Sequence, residues 1–165
     1  MIKLVPVSII MVTLCFAQQK RPISFTPLTD EILKNATYYD MNYGSVKLTN
    51  GEFYINKSAD MFGDLRFLAR GDLDGDGNED AAVVLYSYTG GNDPDATLCA
   101  VLNRSGKPNV ISCIPLNMYV DSIKIVKGVI ILRVGVYVKG DTGHWPSGTG
   151  IVRYKLVGNT LKQKK

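Results

Sequence analysis

Four aspartates, Asp72, Asp74, Asp76 and Asp80, fall within nine residues of the run Gly71-Asp-Leu-Asp-Gly-Asp-Gly-Asn-Glu-Asp80. Carboxylates this close repel one another unless a positive charge sits among them. Hard oxygen donors at positions 1, 3, 5 and 9 of the loop suit Ca2+, which takes about 6–8 oxygens at roughly 2.3–2.6 Å. Gly77 stands at position 6, where a sharp turn needs positive φ, and it lets the Asn78 carbonyl point inward as a fifth ligand. Asp and Gly also favour turns that hold no metal, but four carboxylates exceed what a turn requires. The expected site is Ca2+ on Asp72, Asp74, Asp76, Asn78 and Asp80.

Neither a helix–loop–helix site nor a dockerin repeat suits the flanks. Position 12 is Val83, where the former needs a bidentate Glu. The run Ala81-Ala-Val-Val-Leu-Tyr-Ser-Tyr88 is β-branched and aromatic, so a strand leaves the loop. A D-x-D-x-D-G-x-x-D spacing running into a strand resembles the β-hairpin calcium loops of integrin α-subunit (FG-GAP) and VCBS repeats. That resemblance implies the same ligands, the carboxylates of Asp72, Asp74, Asp76 and Asp80 and the carbonyl of Asn78.

The elements that must position this loop read mainly as strands. Thr26-Pro27 suggests an N-cap followed by proline at the first helical position, and Leu28, Ile32 and Ala36 repeat at helical spacing. A short helix over Pro27–Asn35 follows. Tyr38 to Tyr43 is aromatic without periodicity and reads as packing. Val46–Ile55 reads as a hairpin about Asn50-Gly51. Leu65–Arg70 enters the acidic loop, and Ala96–Leu102 with Val110–Ile114 makes a further hairpin. Ser122–Val126 and Val129–Val138 flank a Lys127-Gly128 turn, and Gly150–Val157 precedes Gly158-Asn159. The fold class expected is mainly β, an antiparallel meander or sandwich-like sheet with one short N-terminal helix. A single acidic loop excludes a propeller, which needs at least about four blades.

Cys99 and Cys113 lie on either side of the Asn103–Pro108 turn cluster. A turn centred on Gly106 sets them opposite each other, with facing Cα atoms about 4.5–5.5 Å apart and a disulfide possible. A turn centred between Ser105 and Gly106 puts them on opposite faces and excludes the bond. Two buried free thiols are then the alternative.

From Leu33 onward the order of motifs is similar to a family of small exported bacterial proteins, anchored or free. The shared features are the Gly71–Val83 segment, the Leu102–Pro108 turn, a strand pair over Ile123–Ile131 and the Tyr154-Lys155-Leu156 ending; Lys139–Gly150 departs from the pattern. The resemblance implies the fold and the metal and implies no activity.

Residues 1–17 have the form of a signal peptide: Lys3, an apolar stretch from Leu4 to Leu14, and a small residue at Ala17 before Gln18. The apolar stretch is shorter than the ~20 residues of a membrane-spanning helix. Residues 18–25 read as a linker and 26–165 as a single calcium-binding β domain. A secreted or periplasmic location is expected. A lipid anchor at Cys15 is the lesser alternative, because Leu14 stands where lipoprotein signals carry a small residue. Without residues 1–17, which hold Lys3 and no acid, the formal charge falls from +4 to +3. The basic residues are scattered, which disfavours nucleic acid as a partner.

His144 and Trp145 stand together in a glycine-rich loop. They are either a contact patch, for instance for a sugar, or a hydrophobic pin that holds the loop to the sheet. No nucleophile elbow, zinc-protease motif or phosphate-cradling loop accompanies them. Two function classes remain. One is a non-catalytic binding or adhesion module, expected to be a monomer, for a surface glycan or protein; the other is a hydrolase of envelope polymers. An acid-lined cleft away from the loop would favour the hydrolase.

Overall fold

A computed structural model describes residues 26–56, 61–91, 93–142 and 146–164. The expected signal peptide, linker and Cys15 lie outside the described residues, as do His144 and Trp145. The fold is mainly β and antiparallel, with one short helix. Helix α1 (Asp30–Lys34) precedes a small hairpin of β1 (Thr37–Asp40) and β2 (Gly44–Lys47). A five-stranded sheet runs in chain order through β3 (Glu52–Asn56), β4 (Met61–Gly71), β5 (Asp80–Thr89), β6 (Asp95–Arg104) and β7 (Lys107–Leu116). A four-stranded sheet follows from β8 (Val120–Val126), β9 (Val129–Val136), β10 (Gly148–Val157) and β11 (Thr160–Lys164).

The five-stranded sheet is covered on both faces, which explains its sequence. Ala82, Val84 and Tyr86 of β5, with Leu98, Ala100 and Leu102 of β6, pack against Ile130, Leu132, Val134, Tyr154 and Leu156 of the four-stranded sheet. Ala81, Val83, Leu85, Cys99 and Val101 point the other way, under Leu28, Leu33, Tyr38, Val46, Leu48 and Phe53. Strands buried on both faces need no polar alternation, so Ala81–Ser87 is buried throughout. In β10, alternate residues face water and the burial pattern alternates.

Two local expectations are corrected. The helix starts at Asp30, and its N-cap is Thr29, whose Oγ1 accepts from Ile32 N at 3.2 Å. Thr29 is followed by acids in the first turn, which suit the helix dipole. The carbonyls of Thr26 and Leu28 instead accept from Asn103 and Arg70. The Asn50-Gly51 turn exists, with φ of 53° and 93°, but its flanks diverge after the Thr49–Glu52 bridge. β2 pairs with β1 and β3 with β4, because Leu48 is drawn under the helix, its N–H bonded to Ala36 O at 3.0 Å. The aromatic stretch after Thr37 does serve packing, with Tyr38 in the core and Tyr43 against it, and it also belongs to a hairpin in which Tyr38 and Val46 face inward.

The cysteine hairpin combines both geometries considered from the sequence. Its tight turn is Ser105-Gly106, with φ of 56° and 80°, and Arg104 faces Lys107. That turn alone would separate the thiols. A bulge restores the register: Val101 faces Val110 but Ala100 faces Ser112, so Ile111 is the extra residue and Cys99 faces Cys113. The two sulfurs are 2.04 Å apart.

Candidate metal centre

The acidic run is the connection between two neighbouring antiparallel strands, because Gly71 closes β4 directly opposite Asp80, which opens β5. Gly75 and Gly77 take φ of 83° and 84°, in the left-handed region where a side chain is strained. A Cβ at either would meet no atom within 4 Å, so the demand is conformational rather than steric.

Each aspartate has its own place in the loop. Asp72 accepts from Gly75 N at 2.6 Å through Oδ1 and from Gly77 N at 3.1 Å through Oδ2. Asp74 Oδ1 accepts from Asp76 N at 3.2 Å. Asp80 is fully buried; its two oxygens accept from Asn103 N at 2.8 Å and Leu73 N at 2.9 Å. Leu73 is itself part of the core, so Asp80 fixes the loop to the body of the protein from below. Burial pushes the Asp80 carboxyl above the usual range, the Asn103 and Leu73 N–H groups oppose that, and Asp74 and Asp76 add to the upward push. A cation beside it would offset that cost.

Asp72, Asp74 and Asp80 each bring one carboxylate oxygen within 4.8 Å of the others. Oxygens that share one hard cation at roughly 2.3–2.6 Å stand no more than about 5 Å apart, so these three side chains fit one ion. Asp76 is not in that group. Its Oδ1 accepts from Asn78 N and its Oδ2 from Asn78 Nδ2, both at 2.8 Å. These bonds, first among the causes, hold its carboxyl below the usual range. Asn78 therefore orients Asp76 through its N–H and its side chain.

Two residues of the centre were not evident from the sequence. Arg104, at the end of β6, donates through Nη1 to Asp76 Oδ2 at 3.2 Å and through Nη2 to Asp74 Oδ2 at 3.1 Å. Its neighbour Asn103 bonds Asp80 Oδ1 through its N–H and Glu79 O through Nδ2. The sequence signalled this stretch as a turn. Only the pairing of β5 with β6, Ala81 opposite Val101, carries that turn alongside the acidic loop. A cavity of about 630 Å3 opens beside the loop, lined by Asp72 and Asp74 together with Lys127 and Lys155.

A second cleft, about 560 Å3, lies between the sheets and is lined by Arg66, Tyr86, Tyr88, Tyr119 and Asp121, with Ser147 at its rim. Its size falls within the ~300–1,000 Å3 of small-molecule sites. Arg66 is the extra residue of a bulge in β4, between the Leu65–Leu85 and Phe67–Val84 pairs. Its guanidinium lies 5.6 Å from the Tyr86 ring centroid and donates to Tyr88 Oη at 3.3 Å. Tyr54, Phe62 and Tyr88 stack in a row beyond it, with centroids 5.9 and 4.7 Å apart. Asp121 is the one carboxylate among the described lining residues.

The residues flanking His144 and Trp145 are held by Asp141. Its carboxylate accepts from Val138 N at 2.9 Å, Ser147 N at 3.0 Å and Ser147 Oγ at 2.6 Å.

No protein-family model, curated protein or solved structure matches the chain. Among the described residues, no helix is long and apolar enough to cross a membrane.

Proposed function

We propose that the chain is an exported calcium-binding β domain, a non-catalytic binding or adhesion module whose Ca2+ in the 72–80 loop is structural. The observation that carries the metal is the convergence of Asp72, Asp74 and Asp80 oxygens within 4.8 Å at a strand-to-strand turn. Hard carboxylate donors on one loop suit Ca2+, whose coordination geometry is adaptable, better than Mg2+, which demands octahedral geometry and dehydrates reluctantly. When bound, the ion neutralises the carboxylates; Asp72 and Asp74 would hold it from the loop and Asp80 from the first residue of β5. Asp76 and the Asn78 carbonyl complete the proposed ligand set. Clamping β4 to β5 beneath the core residue Leu73 is the work of a structural ion.

The binding reading is favoured over the hydrolase by the cleft between the sheets. Acid–base cleavage of a glycosidic bond needs two carboxylates about 5–9 Å apart, and Asp121 stands alone among the described lining residues. Aromatic rings with one guanidinium and one carboxylate form a recognition surface for a glycan or a protein segment. The experiment has two parts. Calorimetric titration of metal-stripped protein with Ca2+ should give one saturable site. A glycan and peptide array should give calcium-supported hits that weaken in Tyr88→Ala. Absence of calcium binding would remove the metal reading, and turnover of an envelope polymer would replace the binding reading with the hydrolase.

A further inference from the structure

We propose that Arg104 is a built-in competitor for the loop's cation, holding Asp76 away from the ion until a divalent cation displaces it. The inference rests on the calcium reading of the loop and adds its regulation.

Arg104 contacts two of the proposed ligands. One guanidinium nitrogen bonds Asp74 Oδ2 and the other bonds Asp76 Oδ2. The carboxylate oxygens that converge on one point are those of Asp72, Asp74 and Asp80, and the aspartate left out, Asp76, is the one tied to both Arg104 and Asn78. A full set of four carboxylates requires Asp76 to turn inward, and turning inward breaks its bond to Arg104. The guanidinium and the divalent cation therefore compete for the same oxygens. Metal-free, Arg104 supplies the positive charge that the crowded carboxylates need. Metal-bound, that charge is redundant and the side chain is released.

Arg104 is well placed to act this way. Asn103 beside it is fixed by Asp80, Glu79 and Thr26, so the backbone at Arg104 is anchored. The Arg104 side chain is about half exposed, at 47%, so it can leave for solvent without exposing apolar surface. Lys107, its partner across the turn, has the same charge and, among the described residues, no ion pair. Proximity alone would make the two residues equivalent; the proposal makes them different.

The test is calorimetric titration of metal-stripped wild-type, Arg104→Gln, Arg104→Lys and Lys107→Gln proteins with Ca2+ alone, each first shown to be folded by circular dichroism. Arg104→Gln should bind Ca2+ about three- to tenfold more tightly, the range expected when one or two exposed ion pairs stop competing. It should also melt at a lower temperature without metal. Arg104→Lys, which keeps the charge and loses the planar fork, should fall between. Lys107→Gln should stay within about twofold of wild type, the background of surface substitutions. In an Asp76→Asn background the effect of Arg104→Gln should largely disappear, because the contested carboxylate is gone. Binding by Arg104→Gln with no measurable binding by wild type would also support the competitor. Unchanged or weaker binding by Arg104→Gln, or equal tightening by Lys107→Gln, would overturn it and leave the calcium reading standing. No calcium binding by any of these proteins would remove both.

Discussion

Cys99 faces Cys113 because Ile111 is an extra residue in the strand that carries Cys113. Below the bulge the register follows the Ser105-Gly106 turn, and if Ile111 took a regular place in the ladder instead of bulging, Cys99 would face Ser112. The Ser112 side chain points to the opposite face, where its Oγ accepts from Leu161 N at 3.0 Å. A thiol at Cys99 would then meet no partner. Labelling the unfolded, non-reduced chain from Gln18 onward with a thiol reagent should therefore give no adduct. Deletion of Ile111, which removes the bulge but leaves Cys113 opposite Cys99, should give none either; two adducts in the wild type would contradict the pairing. Reduction of the wild-type bond should cost roughly 3 kcal/mol, the chain-entropy value for a loop of about fifteen residues.

Asp80 holds the loop whether or not a metal is bound. Replacement by alanine leaves the Leu73 and Asn103 N–H groups without their acceptor, at about 1–3 kcal/mol for each buried donor. Asp76→Ala removes only exposed bonds to Asn78 and Arg104. In metal-free buffer, urea denaturation should show a loss of a few kcal/mol for Asp80→Ala and less than about 1 kcal/mol for Asp76→Ala. Equal losses would show that Asp80 is a ligand and nothing more.

Asp64 gives the protein a pH dependence away from the loop. Burial raises its carboxyl above the usual range; the Arg66 guanidinium opposes that, at 2.9 Å, and Glu52 adds to it. Its Oδ1 is buried with no hydrogen-bond partner among the described residues. A carboxyl whose pKa is higher folded than unfolded favours the folded state when protonated, and that contribution is lost as pH rises through the folded value. The stability of Asp64→Asn relative to wild type should therefore increase from about pH 4 towards neutrality, the unfolded carboxyl titrating near 3.9. A difference that is flat with pH, measured by urea denaturation, would contradict this origin.

Much of this architecture was legible in the sequence because neighbouring residues report neighbouring strands. The unbroken run from Ala81 gave a strand, the glycines and aspartates gave the loop, and consecutive hairpins gave the meander. What escaped depends on contacts between distant segments. Local signals compete for the helix cap: Thr26 precedes a proline and Thr29 precedes two acids, and in the fold Arg70 and Asn103 take the carbonyls of Leu28 and Thr26. The Asn50-Gly51 turn reads as a hairpin, and only Leu48 moving under the helix separates its arms. Arg104 reads as one more surface cation until β6 pairs with β5 and sets it against Asp74 and Asp76. Bulges such as Ile111 add one residue to a strand without a composition signal of their own.

The central claim, that the loop is a calcium clamp on the fold, is tested most directly by thermal melting of one metal-stripped preparation in chelator, in Mg2+ and in Ca2+. A ligand bound only by the native state adds RT ln(1 + [L]/Kd), about 2.7 kcal/mol at a hundredfold excess over Kd. The predicted result is a melting temperature raised by several degrees in millimolar Ca2+ and little changed in Mg2+. Superimposable curves in chelator and in Ca2+ would contradict it.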